Sequence, residues 1–439
     1  MSNRYYILAL FFITSISTHT QELLTTDKAI ALALEHNYGI KIAKNTVEVA
    51  DNNKSVLNSG YLPSLTGIAG ASIDRQNAEG QLADGNVRTA EGAETRRYNA
   101  SINLNYTLFD GLGRLYNYKR LKEQYQLSEL EARETIENTI LQLFSIYYTI
   151  AQLSENSKVL EETIRASKNR LIRAKYQFDY GQNTKLDVLN AEVDINNDSI
   201  SLINIKQQLK VTKRDLNVVL GNHLSDNFEL DKDVNFLIQL DKSELLQKTM
   251  GNNVSLLQAD QNIYISQFGI KTNKAQLLPT VGLVGSYGWN ESSNNSPLAF
   301  VIQNTNSGVS AGLNLTWNLF DGGSTLTRVK NSKINFETLK LQREQLQIDI
   351  ERSFNNAWDD YQNKLHIYKV QEDNISTSQN NFDRTNEKFK LGQTTSIEFR
   401  QAQLNLLNAE LGKNQAIYQA KIAELEVLRL SGELLNIDI

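Results

Sequence analysis

Phe109-Asp110-Gly111 occurs a second time in this chain, as Phe320-Asp321-Gly322, 211 residues later. Other matches keep the same offset: Asn103-Leu104 returns as Asn314-Leu315, Gly181-Gln182 as Gly392-Gln393, Ala191 as Ala402, and Gly221 as Gly432. A single register held over this length indicates an internal duplication. Upstream, Leu62-Pro63 matches Leu278-Pro279 at an offset of 216, so the five-residue difference lies in a loop between Pro63 and Phe109.

Each repeat has the same order of elements: a helix, Leu-Pro, a hairpin of strands, Phe-Asp-Gly, a very long helix, a glycine break and a second helix. The expected division of the chain is a first repeat at 21–221, with a hairpin at 64–109 and long helices at 111–220, a linker at 222–240, and a second repeat at 241–439, with a hairpin at 280–320 and long helices at 322–431.

The beginning of the chain predicts a secretory signal peptide at 1–20. Arg4 precedes a short apolar run, and small polar residues and Gln21 follow it, which is the pattern of such a peptide with cleavage near Thr20. The run is too short to span a bilayer, which takes about 20 apolar residues. The chain has no cysteine, which excludes disulfides and a lipid-anchored cysteine.

The hairpins alternate between apolar and polar residues with period two, as strands with two different faces do. The clearest strand alternates Tyr98, Ala100, Ile102, Leu104, Tyr106 and Leu108 with Asn99, Ser101, Asn103, Asn105 and Thr107. A soluble sheet is one interpretation. The nearly uncharged polar faces favour a membrane sheet around a water-filled lumen, and so do the aromatic residues near strand ends: Tyr98, Tyr106, Trp289 and Trp317. The predicted lipid-facing residues are Leu104, Tyr106, Leu315 and Trp317.

The number of strands predicts an oligomer. Four strands of about ten residues would leave two unpaired edges in lipid, where each unsatisfied backbone group costs several kcal/mol. A barrel needs about eight strands to close. Several chains must therefore pool their strands into one transmembrane β-barrel.

Scarce proline predicts long helices. The chain has three prolines, and none lies within 111–181 or 322–392, where apolar residues recur three and four apart. About 70 residues of helix extend on the order of 100 Å. The apolar seam of the first long helix contains Leu160, Ile164, Leu171, Ala174 and Phe178. A cytosolic coiled coil is the alternative, but it would carry neither a signal peptide nor amphipathic strands.

The sequence contains no motif that indicates an enzyme active site. The four histidines are scattered without metal-ligand spacing, and Gly111-Leu112-Gly113 is more typical of a turn than of a phosphate site. We therefore expect no catalytic residue, no metal and no cofactor. A net charge of −5 without any basic tract argues against nucleic acid as a partner.

The chain resembles the TolC family of outer-membrane efflux proteins over nearly all of its mature length. The duplication and three kinds of motif carry this resemblance. The motifs are the Leu-Pro before each first strand, the Phe-Asp-Gly boundaries, and the tips at 176–192 and 389–403, where an acidic residue and an alanine follow the glycine. The resemblance implies an α+β homotrimer in which twelve pooled strands form the outer-membrane barrel. Long antiparallel helices would form a periplasmic α-barrel, with the linker at its equator.

The resemblance also implies partners and a function: a periplasmic adaptor, an inner-membrane transporter and the lipid of the outer membrane, with the chain as the exit duct of a tripartite efflux system. An exit duct for type I protein secretion is the alternative within the family, because the pump and adaptor choose the cargo. A periplasmic coiled coil without a pore is the alternative outside it.

The helix tips carry the predicted site residues. The expected docking residues for the inner-membrane complex are Tyr180, Gly181, Gln182, Leu391, Gly392 and Gln393. By resemblance, Asp187, Glu398 and Gln401 are gate residues of the tunnel, and the partners of Asp187 would be Phe389 and Thr394, which cannot form a charged lock. Thr184 with Asp187 and Thr395 with Glu398 also have the spacing of helix capping boxes, a role that can coexist with a carboxylate ring.

Overall fold

A computed structural model describes residues 23–221, 228–237 and 240–436. The predicted signal peptide lies outside the described residues, as does part of the predicted linker. In chain order the elements are β1 (Leu23–Leu24), α1 (Thr26–His36), α2 (Tyr38–Asn53), β2 (Ser64–Gln81), β3 (Val87–Phe109), α3 (Gly113–Asp179), α4 (Lys185–Leu220), β4 (Glu229–Leu230), α5 (Lys242–Asn252), α6 (Val254–Ala275), β5 (Thr280–Asn294), β6 (Gln303–Thr316), α7 (Ser324–Lys390) and α8 (Ser396–Leu430). The α+β class is confirmed.

The two longest helices have the same length and the same boundaries within their repeats. α3 and α7 each contain 67 residues, about 100 Å of helix, and no proline interrupts either of them. A residue with positive φ precedes each helix, Leu112 at 67° and Gly323 at 86°.

Within the described ranges, no helix is long and apolar enough to cross a membrane.

The opening helix of each repeat is in fact two helices, contrary to the single helix expected from the sequence. Asn37 ends α1 and begins α2, where its side-chain Oδ1 accepts a hydrogen bond from the Ile40 N–H at 3.1 Å. Its amide also donates to the Val219 carbonyl at 2.7 Å. Asn253 does the same between α5 and α6, donating to the Leu430 carbonyl at 2.9 Å. Each asparagine therefore breaks its helix and fastens the break to the end of α4 or α8.

The four long strands form one antiparallel sheet in the order β2-β3-β5-β6. The register carries each face across all four strands. Residues of one apolar row are Leu65, Leu104, Gly285 and Ala311, and those of the next, polar row are Thr66, Asn103, Ser286 and Ser310. The hydroxyls of Ser286 and Ser310 are 2.8 Å apart. The predicted alternation therefore describes a sheet with two chemically distinct faces.

The strands of the first hairpin are longer than predicted. β2 has 18 residues and β3 has 23, because the charged segment beyond Tyr98 continues the ladder up to Val87. Tyr98 and Trp289 therefore lie inside strands, not near their ends. Along β3, Tyr98 and Tyr106 are eight residues apart, about 27 Å at roughly 3.4 Å per residue, so aromatic residues still bracket a band close to the apolar height of a membrane barrel.

Trp317 does not lie in a strand, contrary to the prediction. β6 ends at Thr316, because its partner β5 begins at Thr280 directly after Pro279, and proline has no N–H to donate to a ladder. The Trp317 indole N–H donates instead to the Leu277 carbonyl at 3.2 Å. The aromatic side chain therefore stands at the junction between sheet and helices.

The largest core lies halfway along α3. The ends of α4 and α8 reach this level, and the parallel pair β1 and β4 covers it. Its largest buried side chains include Phe144, Tyr147 and Tyr148, and the Tyr147 hydroxyl donates to the Leu24 carbonyl at 2.8 Å. Farther along α3, Leu160, Ile164 and Ala174 of the predicted seam are buried, whereas Phe178 is 40% exposed.

The two faces of the sheet give a direct test. If the apolar face contacts lipid, Leu104→Arg or Leu315→Arg near the middle of the membrane should cost roughly 2–4 kcal/mol of the free energy of unfolding. Asn103→Arg and Asn314→Arg are matched controls one residue away on the polar face and should cost less. Urea titration of protein folded into lipid vesicles measures the difference, and equal costs on both faces would show that the faces are assigned wrongly.

Candidate functional site at the helix turns

The two helix turns that contain the predicted docking residues have the same backbone structure. Gly181 and Gly392 have φ of 71° and 72°, a conformation that favours glycine. The N–H of the residue after each glycine closes the turn onto the helix: Gln182 donates to the Gln177 carbonyl at 2.7 Å, and Gln393 to the Lys388 carbonyl at 2.9 Å. Both turns therefore end their helices with the six-residue hydrogen bond of a glycine C-cap.

The turns present apolar side chains to the surroundings. Tyr180 is 78% exposed and Leu391 is 71% exposed. A Cβ added to Gly181 or Gly392 would meet nothing within 4 Å. The predicted docking residues thus lie on an open surface at the end of the helices.

Glu398 forms the capping box that the sequence predicts. The Glu398 N–H donates to the Thr395 hydroxyl at 3.2 Å, and its carboxylate accepts from the Thr395 N–H at 2.9 Å. The Thr394 hydroxyl also donates to this carboxylate, at 2.5 Å. The hydrogen bonds from Thr394 and Thr395 lower the pKa of Glu398. An exposed carboxylate held in this way keeps its negative charge below the usual pH range of glutamate.

Asp187 does not form the second predicted capping box. The Thr184 hydroxyl has no bond to a backbone N–H and donates to the Asp187 carboxylate at 3.1 Å. The aspartate side chain is one methylene shorter than glutamate, so reaching back to the N-cap N–H is harder. Gln401, the third predicted gate residue, donates to the Asn405 side chain at 2.9 Å on the exposed side of α8.

The two positions that resemblance pairs with Asp187 have other contacts. Phe389 is 8% exposed and its ring lies 4.8 Å from that of Phe399. The Arg173 guanidinium lies 5.3 Å from the centre of the Phe389 ring. The hydroxyl of Thr394 is bound to Glu398. Phe389 thus belongs to an aromatic contact between α7 and α8.

A buried polar cluster near the turns was not predicted. Arg400 of α8 binds both carboxylate oxygens of Asp198 of α4, at 2.7 and 2.9 Å. The Ser167 hydroxyl of α3 donates to Asp198 at 3.0 Å, and the Gln403 amide of α8 donates to the Thr163 carbonyl at 2.9 Å. Three helices from both repeats therefore meet in one hydrogen-bond network.

Arg170 extends this network toward the α7–α8 turn. Its side chain is 2% exposed and forms an ion pair with Asp194, and its guanidinium lies 3.4 Å from the Ser396 carbonyl at the start of α8. Breaking one partner of such a buried pair costs about 3–5 kcal/mol. The spacing of Asp194 and Asp198, one helical turn apart, is a signal in the sequence, but their partners depend on how the helices pack.

A groove of about 490 Å³ lies beside this cluster, between α3 and α7. Its lining contains three basic residues, Arg170, Arg173 and Lys390, and no carboxylate. Aromatic and other residues complete it: Ala166, Asn169, Ile172, Tyr176, Phe382, Asn386, Phe389 and Phe399. All three basic side chains already have partners: Arg170 pairs with Asp194, Arg173 donates to the Lys390 carbonyl, and Lys390 pairs with Glu387. No group of three or more metal-ligating side chains occurs in the part of the chain that the structure describes.

The chain is similar to known proteins over nearly its whole length. The family model described as outer membrane efflux protein matches residues 29–222 and 245–433. The outer membrane efflux protein BepC of Brucella suis is 22% identical over 410 residues, which cover 93% of this chain and 86% of BepC. The outer membrane protein TolC of Salmonella enteritidis is 22% identical over 360 residues, covering 80% of this chain and 72% of TolC.

A solved structure shows the same fold. The Campylobacter jejuni CmeC outer membrane channel superimposes with a TM-score of 0.77 at 18% identity, covering 93% of this chain and 86% of CmeC. The similarity thus includes both the sheet and the long helices. Since the family model matches both repeats, the predicted resemblance is confirmed, and the chain belongs to the outer membrane efflux protein family.

Proposed function

We propose that this chain forms the exit duct of a tripartite efflux system. The duct passively conducts substrates that an inner-membrane pump delivers through a periplasmic adaptor. The family consists of channel proteins and not of enzymes. The observation that carries the proposal is a two-faced sheet whose two outer edges are unpaired within the described part of the chain, joined directly to helices about 100 Å long.

The sheet edges support a homotrimer. Among the described residues, β2 pairs only with β3, and β6 only with β5. The apolar face is exposed in a single chain, with Val309 at 80% and Leu313 at 72%. Lipid can cover that face, but only another strand can satisfy the edges. Pairing β6 of one copy with β2 of the next closes a barrel of twelve strands in a trimer.

The helices have matching uncovered stripes. α4 exposes apolar residues at the three- and four-residue spacing of a coiled-coil seam: Leu186, Leu189, Val193, Ile200 and Ile203. α7 exposes Ile334, Leu341 and Ile348, seven residues apart. Neighbouring copies would bury these stripes against one another. The α-barrel is therefore proposed to close by the same pooling of copies as the sheet.

The division of the chain is part of this proposal. In this division a signal peptide at 1–20 precedes two repeats, at 21–221 and 241–439. The linker 222–240 between them would lie at the equator of the periplasmic α-barrel. α3 and α7 have equal lengths and begin 211 residues apart, and Asn37 and Asn253 occupy equivalent positions, which supports the two repeats. Each repeat would then form half of the wall that one copy contributes.

The two ends of the duct would meet different partners. The sheet contacts the lipid of the outer membrane, through residues such as Leu104, Tyr106 and Leu315. The helix turns extend into the periplasm toward the adaptor and pump. In a trimer, Asp187, Glu398 and Gln401 would each form a ring around the tip, and the ionised Glu398 ring would attract cations.

Assembly and conduction test the proposed function together. Light scattering in a mild detergent should give a trimer that resists dissociation, because separated chains expose sheet edges to an apolar phase. The same preparation in a planar bilayer should give discrete ion conductance. Monomers would end the pooled-barrel proposal, and trimers without conductance at any voltage or pH would favour a periplasmic coiled-coil protein without a pore.

Bulky substitutions at the turns test the docking role. Gly181→Trp and Gly392→Trp should abolish export and leave trimer assembly intact, because each new side chain enters open space and the backbone strain costs only about 1 kcal/mol. Export of an efflux substrate from cells measures the first effect, and light scattering the second.

Gly322 provides the matched control at the opposite end of α7. Its φ is 68° and a Cβ there also meets nothing within 4 Å, so Gly322→Trp has the same local cost without touching the turns. Native export by the turn variants would show that the docking surface lies elsewhere. Loss of export in Gly322→Trp as well would show that the effect is not specific to the turns.

A further inference from the structure

The polar face of the sheet changes character at the end far from the helices. Near the helices its rows contain mostly serine, threonine, asparagine and glycine. The last complete row consists of Asp74, Thr95, Asn294 and Ile302, where the Asn294 N–H donates to the Ile302 carbonyl at 2.7 Å. The segment 295–302, between β5 and β6, begins at this level, and its side chains include Leu298, Phe300 and Val301.

This segment folds across the polar face of the first hairpin. The β2–β3 ladder shifts register between Gln76 and Ala78, where the extra residue lies on β3. The alternation of β2 therefore continues, and Gly80 is on the same face as Thr66. A Cβ built on Gly80 would lie 3.6 Å from Leu298, so Leu298 sits on that face. Ala93 and Thr95 of β3 are each 5% exposed, although they point toward what would otherwise be open lumen.

Hydrogen bonds fix the segment in this position. The Asn295 side chain accepts from the Glu94 N–H at 2.7 Å, and the Asn295 N–H donates to the Glu94 carbonyl at 3.2 Å. The Ala299 N–H donates to the Ser296 carbonyl at 3.0 Å. The segment is thus held on β3 of its own chain and does not depend on another copy for its position.

The segment nevertheless leaves a large apolar group uncovered. Phe300 is 102% exposed, Val301 62% and Ile302 70%. Three consecutive exposed apolar side chains are unusual on a water-facing surface and mark a site of contact. Leu298, beside Gly80, and Ile302, in register with Asn294, lie on the polar side of the sheet, so the segment that carries these residues is separate from the lipid-facing residues of the other face.

We propose that Phe300, with Leu298 and Ile302, forms an apolar constriction inside the outer mouth of the duct, and that the covering surface is the same segment of the other copies. The inference rests on the proposed function, because a pooled barrel places one such segment per copy on the lumen side. Rings of apolar side chains restrict hydrated ions by excluding water from a narrow passage. The outer mouth therefore resists ions more than it resists apolar or amphipathic molecules.

Cysteine chemistry tests where Phe300 lies. The chain has no cysteine, so Phe300→Cys creates a single thiol, and the fully exposed side chain makes no packing contact that the substitution would remove. In a planar bilayer, a membrane-impermeant thiol reagent added on the outer side should lower the current by about half or more, because three bulky adducts then occupy the constriction. Val87→Cys is the control, since Val87 is 55% exposed at the tip of the first hairpin and its adduct should leave the current unchanged.

Polar substitution tests the constriction itself. Phe300→Ser with Ile302→Ser should raise the single-channel conductance, and Val309→Ser, on the apolar face, should not. Complete labelling of Phe300→Cys with an unchanged current, or an unchanged conductance in the serine variant, would overturn the constriction. A parent protein that gives no conductance would instead contradict the proposed duct, so the two failures are distinguishable.

Discussion

The structure depends on one requirement: every backbone N–H and C=O of a strand in lipid must have a partner. One chain supplies four strands and leaves the outer edges of β2 and β6 open among its described residues. The edges cannot be satisfied by a longer hairpin or a tighter turn. In the proposed duct these edges make each chain one segment of a wall that several copies share, and the helices then pair between copies as the strands do.

In a chain made of long, thin layers of helix, only a small part can be a hydrophobic core. The helices are about 100 Å long, yet the main cluster of fully buried side chains lies near the middle of α3, where α4, α8 and the small β1–β4 pair converge. Two buried contacts hold the linker there: the Lys421 ammonium donates to the Asn235 carbonyl at 2.7 Å, and the Leu237 N–H donates to Glu424 at 2.8 Å. Away from this level, the helices are fastened by narrower contacts such as the Arg400–Asp198 pair near the turns.

The sequence predicts the parts of this structure that depend on local chemistry. The alternation of apolar and polar residues predicts the two faces of the sheet. The absence of proline predicts the long helices, and Gly181 and Gly392 predict the turns between them. The wrong or missed features depend on a partner elsewhere in the chain. Trp317 lies outside the sheet because Pro279 ends the strand that would pair with it. The pairing of Arg400 with Asp198 depends on how α4 and α8 are rotated relative to each other, and the spacing of residues in the sequence does not predict that rotation. The roles of Asp187, Glu398 and Gln401 at the tip stay predictions.

The two repeats are equal where the wall must be regular and unequal where the duct meets its surroundings. α3 and α7 each have 67 residues and therefore extend the same distance from the sheet. The hairpins differ: β2 and β3 have 18 and 23 residues, whereas β5 and β6 have 15 and 14. The shorter hairpin is therefore free to turn its connecting segment inward, over the polar face of the longer one, where Leu298 covers Gly80. In the proposed duct, the longer first hairpin therefore gives the segment that carries Phe300 a surface to lie against.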